Sequence, residues 1–169
     1  AGTLDPLATG VVICCLGRAT KSVAHLMGLS KTYETTVDLS AVTATDDAEG
    51  PRQEVEVAQP PSREQVQSTL AQFIGEVQQT PPAFSAIHVK GQRAYKLARR
   101  GEEVALKART VRIDALELLS YDWPLAELRI VCGKGTYIRS IARDLGQALG
   151  VGGHVVTLRR TAVGPYDLA

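Results

Sequence analysis

The chain has 169 residues, 44% of them hydrophobic and 22% charged, with a formal net charge of +1. That is enough for one domain with a sizeable core, in the composition range of ordinary globular proteins. No apolar run approaches the length of a membrane span. The first ten residues carry neither the basic nor the apolar block of a signal peptide, and a chain that begins at Ala1 reads as a fragment or a processed product. The three cysteines exclude a disulfide framework, because Cys14 and Cys15 are adjacent and the count is odd. No CxxC or HxxxH spacing occurs, so no metal site is expected. His25, His88 and His154 are isolated in sequence and read as structural or surface residues. A reducing, cytoplasmic compartment fits this cysteine usage.

A net charge near zero does not by itself suggest a nucleic-acid binder, but its distribution is uneven. From Glu34 to Glu76 nine acids face two arginines, and from His88 to Arg112 eight bases face two acids. The second stretch is a candidate basic face for a polyanion.

In chain order, "VVICCLG" is a β-favouring apolar run closed by Gly17. It reads as a buried strand with the cysteines as small buried hydrophobes. "RATKSVAHLMGL" places Ala19, Val23, Leu26 and Met27 at helical spacing, with Gly28 as the stop. "TYETTVDLSAV" is rich in β-branched residues and predicts a strand. "TATDDAEGP" is turn chemistry. "SREQVQSTLAQFIG" predicts a helix: Ser62 and Gln65 make a capping box, Val66, Leu70, Phe73 and Ile74 make the apolar face, and Gly75 ends it. "TPPAFSAIHVKG" gives a short strand after two prolines. "AYKLARRG" reads as a short basic helix stopped by Gly101. "TVRIDALELLSYDW" and "AELRIVCGKG" predict an antiparallel pair joined through Asp122–Pro124. "TYIRSIARDLGQALG" predicts a helix with Ile138, Ile141, Ala142, Leu145 and Leu149 on its core face. "HVVTLRRTAVGPYDL" is mixed. Strands and helices interleave without a βαβ repeat, so the expected class is α+β with a mixed, largely antiparallel sheet and flanking helices.

Three stretches carry chemistry beyond what the fold needs. In "GTLDPLATG" the residue before proline is pushed to extended geometry, which puts Asp5 in a loop. Taken alone, Asp5 reads as an Asx-turn residue. In "GKGTYIRS" a strand ends at a glycine pair and a helix begins. Thr136 is the candidate N-cap, and Tyr137 and Arg139 stand in the first turn. Arg is rarely buried without a partner, so the question is which carboxylate it meets. In "SKTYETTV", Tyr33 enters a strand and could be core or a stacking platform for a base. No P-loop, dinucleotide fingerprint or serine elbow is present. What remains is carboxylate chemistry positioned by a guanidinium on a planar substrate.

The set "GTLDPLATGVVICCLGRATK", "KTYETTVDL", "PPAFSAIHVKGQRAYKLARRG" and "GKGTYIRSIARDLG…HVVTLRRTAVGPY", in that order, resembles the TruB-type tRNA pseudouridine synthases over essentially the whole chain. The resemblance implies the pseudouridine synthase fold, with an active-site cleft across the sheet. It implies isomerisation of the T-loop uridine of tRNA, position 55, by detaching, rotating and rejoining the base, without cofactor or metal. It places Asp5 on the catalytic aspartate, Arg139 on its charge partner and Tyr33 on the aromatic that stacks on the base. Tyr137 falls on the tyrosine packed in the pocket, Lys21 on a lysine at its edge and Leu158 on an apolar lining residue. The implied partner is the tRNA T-arm, with a monomeric enzyme and no membrane.

The target base must leave its stack, and a stacked aromatic offsets roughly 1–3 kcal/mol of that cost. The basic segment "VKGQRAYKLARRGEEV" is expected to meet phosphates, and the acidic stretch Glu34–Glu76 to lie away from the RNA. The chain departs from the family pattern in three ways. An N-terminal strand and a Gly-His pair that helps splay the T-loop are missing before Ala1. A C-terminal PUA domain is missing after residue 169. Ser40 stands where the family has glycine, while Asp47 matches its acidic position. Residues 1–169 are therefore expected to be a catalytic domain with weak or no activity on its own. Two other readings compete within the RNA class: a tRNA-binding folding chaperone, and a TruB-like synthase acting on other RNAs. A plain α+β domain would instead leave Asp5, Tyr33 and Arg139 apart in space.

Overall fold

The computed structural model describes residues 2–89, 92–101, 104 and 106–168. In chain order the elements are β1 (Thr9–Gly10), a 3₁₀ turn (Gly17–Ser22), α1 (Val23–Gly28), β2 (Lys31–Asp38), β3 (Ala41–Thr43) and β4 (Arg52–Glu54). There follow α2 (Arg63–Ala71), β5 (Gly75–Gln79), β6 (His88–Val89), β7 (Gln92–Arg93) and α3 (Ala94–Arg99). The chain ends with β8 (Arg109–Asp122), β9 (Leu125–Cys132), α4 (Ile138–Leu149), β10 (His154–Val163) and β11 (Tyr166–Asp167). The fold is α+β, as the sequence predicts. The main sheet runs β1-β10-β2-β9-β8-β5, with β11 on β10. Among the described residues β1 pairs with β10 in parallel, and the other named strand pairs are antiparallel.

Alternation decides which face of the sheet is buried. In β9, Ala126, Leu128, Ile130 and Cys132 are buried, while Leu125, Glu127 and Arg129 are exposed. Register carries this face across the sheet. Val37, Thr35 and Tyr33 of β2 sit opposite Ala126, Leu128 and Ile130, and Leu158 and Arg160 of β10 sit opposite Thr35 and Tyr33. Two helices cover this face with Val66 and Leu70 from α2 and Ile138, Ile141 and Leu145 from α4. Each such aliphatic side chain contributes about 1.5–3 kcal/mol on burial. The other face is polar, with Arg129 bridging Glu34 at 3.1 Å and Glu117 at 3.5 Å.

The capping box stands as predicted. The Gln65 amide donates to Ser62 Oγ at 3.2 Å, and the Ser62 amide donates to Gln65 Oε1 at 2.7 Å. Ser62→Ala is expected to lower stability by about 1 kcal/mol, read as a shift in urea midpoint at unchanged m-value.

Four details differ from the sequence reading. The run "VVICCLG" is no strand: β1 stops at Gly10, Cys14 is exposed and Cys15 half-buried. Past Arg160 the edge of β10 is occupied by β11, through Ala162 opposite Asp167 and Val163 opposite Tyr166, so the run has no edge there to pair with. α2 ends at Ala71, which leaves Ile74 outside it and exposed. Gly75, with φ of 102°, opens a strand that the sequence reading missed. Ala19 and Met27 are exposed, and Leu26 is the buried anchor of the first helical stretch.

Candidate active site

Asp5 sits in a turn closed by the Ala8 amide, which donates to the Asp5 carbonyl at 2.9 Å. The segment then runs into β1 and lies against β10 at Arg159 and Arg160. Gly10 permits this approach: its φ is 105°, and a Cβ there would lie 2.1 Å from the Arg160 carbonyl oxygen.

Arg139 projects from the first turn of α4 and is only 4% exposed. Its Nε donates to Asp5 Oδ2 at 2.9 Å and its Nη2 to Asp5 Oδ1 at 3.1 Å, a bidentate pair. Nη2 also donates to the Phe84 carbonyl at 3.0 Å, and Nη1 to the Thr45 carbonyl at 2.9 Å. Asp47 adds a second carboxylate, 3.5 Å from Nη1. Asp47 is itself buried and held by the Thr45 hydroxyl at 2.6 Å and the Glu49 amide at 3.0 Å. A guanidinium with this many partners has one orientation, and it fixes the Asp5 carboxylate in turn.

Asp5 and Arg139 open into a cleft of about 480 Å³ that is also lined by Asp47, Glu49, Tyr95 and Tyr137. Tyr137, not Thr136, is the N-cap of α4. Thr136 turns its hydroxyl back to the Gly133 carbonyl at 3.1 Å. Buried Gln79 grips the Tyr137 backbone at both ends, accepting from its amide at 2.8 Å and donating to its carbonyl at 3.2 Å. The Arg109 guanidinium lies 5.1 Å from the Tyr137 ring centroid, a cation–π contact.

Tyr33 stands on the same sheet face, opposite Arg160. Burial raises its pKa above the usual tyrosine value. A hydrogen bond from Arg160 opposes the shift, and the Asp5 charge adds to it. The phenol is therefore protonated at neutral pH and a hydrogen-bond donor. Leu158, two residues along β10, is buried in the core cluster against which Leu7 and Tyr33 pack. Lys21 is exposed on the 3₁₀ turn and is not among the residues that line the cleft. Of the six residues picked from sequence, then, Asp5, Arg139 and Tyr137 share one cleft. Tyr33 lies within reach of the Asp5 charge, but neither it nor Leu158, which is buried in the core, is among the residues that line the cleft, and Lys21 stands apart. The plain-domain reading fails on the 2.9 Å contact between Asp5 and Arg139.

The acidic stretch does not keep clear of the site. Its loop around Thr45–Glu49 forms one wall of the cleft. The physical reason is the pairing of that loop with α4: Arg139 meets Asp47, and Arg143 meets Asp46 at 3.0 Å. The Asp46 carbonyl also accepts from the Val155 amide at 3.0 Å, which ties the loop to β10. Burial raises the Asp46 pKa, only partly offset by Arg143. A raised carboxyl binds its proton more tightly in the folded chain, so its contribution to stability is full below the unfolded value and is lost as pH rises through the folded one. Asp46→Asn is therefore expected to gain on the parent chain in thermal midpoint as pH rises from about 4 toward neutrality. A pH series of melting curves reads this directly.

Sequence reasoning did not single out Gln79, Phe84, Tyr95 or Arg160, whose contacts to the site come from far along the chain. The basic segment is covered in part. Tyr95 of α3 reaches the cleft and Lys96 and Arg100 are exposed, whereas Lys90, Gly91, Glu102 and Glu103 lie outside the described residues. His154 is buried, with Nδ1 3.0 Å from the Ala41 carbonyl, a structural role as expected. Burial pushes the Cys132 thiol up to about 11, which keeps it protonated.

Among the described residues no helix is long and apolar enough to cross a membrane, and no cluster of three or more His, Cys, Asp or Glu is arranged to hold a metal. The sequence model of the TruB family pseudouridylate synthase N-terminal domain matches residues 1–138, and that of the tRNA pseudouridylate synthase B C-terminal domain matches 139–169. The border between the two falls inside α4, and β10 beyond it lies between β1 and β2 in the sheet. The tRNA pseudouridine synthase B of Parabacteroides distasonis is 51% identical over 168 residues, 99% of this chain and 72% of that protein. That of Cereibacter sphaeroides is 52% identical, with 99% of this chain and 56% of that protein covered. Among solved structures, a Cbf5–Nop10–Gar1 complex contains a chain that superposes with a TM-score of 0.73 at 27% identity, over 99% of this chain and 40% of that one. An H/ACA RNP bound to a substrate RNA containing 2′-deoxyuridine gives 0.70 at 26%, over 99% and 39%. A match over more than half of the chain, relatives near 50% identity and the superposition of the whole fold agree: the chain belongs to the TruB family of pseudouridylate synthases.

Proposed function

We propose that the Asp5–Arg139 cleft isomerises a uridine of tRNA to pseudouridine, with Asp5 as the catalytic carboxylate. The observation that carries this is the bidentate ion pair between Asp5 and a nearly buried Arg139, opening into a cleft with Tyr137 on its wall. In this reaction the N1–C1′ bond breaks and a C5–C1′ bond forms. C5 loses a proton and N1 gains one, so substrate and product are isomers and the balance needs no oxidant or reductant. Asp5 supplies the negative charge that acts at the ribose or the base ring. Arg139 holds that charge in place, so little reorganisation is needed during reaction. Tyr33 is the candidate stacking surface for the flipped base, and its hydroxyl, protonated at neutral pH, is the proposed proton carrier. Tyr137 is assigned to the pocket wall and Leu158 to the core packed against Tyr33, while Lys21, which stands apart from the cleft, is left for the RNA to reach.

The substrate is proposed to be the T-arm of tRNA, with the exposed Lys96, Arg100 and Lys107 meeting phosphates. The protein is proposed to act as a monomer in the cytoplasm. Residues 1–169 are proposed to be the catalytic domain. The test is release of tritium from tRNA labelled at uridine C5. Release of one equivalent per T-loop uridine supports the proposal, and its loss when that uridine is replaced fixes the position. No release by the intact protein at any tRNA concentration overturns it. Tight tRNA binding without release would favour the folding-chaperone reading.

A further inference from the structure

Arg160 is 1% exposed, and the guanidinium spends none of its contacts described here on a carboxylate. What it binds is backbone: Nε donates to the Val11 carbonyl at 2.8 Å and Nη2 to the Gly2 carbonyl at 3.2 Å. Its own carbonyl accepts from the Val11 amide at 2.8 Å. These contacts bracket Asp5 on both sides. On β10 Arg160 is the register partner of Tyr33 on β2, and its positive charge lies near enough to the phenol to oppose the rise in the phenol's pKa. Burying a guanidinium costs several kcal/mol unless its donors are satisfied. A core position filled for packing alone would take a leucine or methionine at lower cost.

We infer that Arg160 is a positioning residue that clasps the Asp5 loop at both ends and joins it to Tyr33, so that carboxylate and aromatic are held as one unit. The inference rests on the roles given to Asp5 and Tyr33 above. It goes beyond them by assigning the rigidity of that pair to a residue that is not among those lining the cleft. Arg139 fixes the Asp5 carboxylate from the α4 side, and Arg160 fixes the Asp5 main chain from the β10 side. Removing the clasp should leave tRNA docking intact and displace the loop. A displacement of about 1 Å at a reacting group lowers rate on the order of 100-fold.

The test uses Arg160→Met and Arg160→Lys in the full chain, with single-turnover rates, KM for tRNA and amide hydrogen exchange. For Arg160→Met, kcat is expected to fall about 100-fold with KM within about threefold. Exchange at the Ala8 and Val11 amides should rise at least about tenfold, while the Leu128 and Ile130 amides of β9 stay protected. Lysine reaches one carbonyl of the two, so Arg160→Lys should recover about tenfold of the lost rate. Unchanged exchange at Ala8 and Val11 would overturn the inference. So would a rise in KM at intact kcat, which would make Arg160 an RNA contact. Unfolding of both variants would place Arg160 in the core and overturn it too. If Asp5→Asn kept full turnover, the reading of the site would fall, but loop exchange would still decide whether Arg160 is the clasp.

Discussion

Asp5→Asn is expected to lower turnover by a factor on the order of 10⁴ while leaving tRNA affinity within about threefold. The substitution is nearly isosteric, so the side-chain oxygen can still accept from Arg139 and the turn closed by Ala8 is untouched. What it removes is the negative charge at the mouth of the cleft. Arg139 does not become an unpaired buried cation, because Asp47 remains 3.5 Å away and two carbonyls stay bound. The stability cost should therefore be about 1–2 kcal/mol, that of one weakened charge-assisted hydrogen bond. Loss of rate with retained fold and retained binding separates a catalytic carboxylate from a turn-former. It also separates the enzyme reading from a binding protein for which catalysis is secondary. Loss of binding with residual turnover would contradict the role given to Asp5.

Arg139→Ala is expected to cost more of the fold than any other single change in the cleft, about 3–5 kcal/mol, and to lower turnover at least about 1000-fold. Besides Asp5, three partners lose the guanidinium at once. Asp47, 1% exposed, becomes a buried carboxylate without its cation, and the Phe84 and Thr45 carbonyls lose their hydrogen bonds. For a chain of this size the thermal midpoint should drop by roughly 10 °C, which a melting curve reads. Arg139→Lys should fall between. A single ammonium can meet Asp5 or Asp47, and it cannot reproduce the bidentate fork while also reaching both carbonyls. Activity of Arg139→Ala within tenfold of the parent, at temperatures where it remains folded, would contradict the electrostatic role given to Arg139.

Local signals in the sequence foretold local structure well. Ser62 and Gln65 announce α2 because both halves of a capping box lie within four residues. Ile138, Ile141 and Leu145 announce α4 because one helix face must be apolar. The pairing of Asp5 with Arg139 was legible only through the family resemblance: the residues alone left Asp5 as an Asx-turn residue and Arg139 as a cation in need of some carboxylate. Features that depend on distant partners were not legible. "VVICCLG" has every mark of a strand, and it fails to be one because β11 occupies the edge of β10. The acidic stretch was expected to lie away from the RNA, and its loop becomes a wall of the cleft because two arginines of α4 reach it. Arg160 sits in a strand beside a second arginine and reads as ordinary. Its use appears only when residues 2 and 11 fold onto it.

The sharpest test is base-resolved pseudouridine mapping of tRNA from cells that lack the intact gene and are re-supplied with either the parent or the Asp5→Asn form. The expected result is pseudouridine restored at the T-loop uridine by the parent and absent there with Asp5→Asn at equal protein level. Pseudouridine restored equally by both forms would contradict the assignment of Asp5 as the catalytic group.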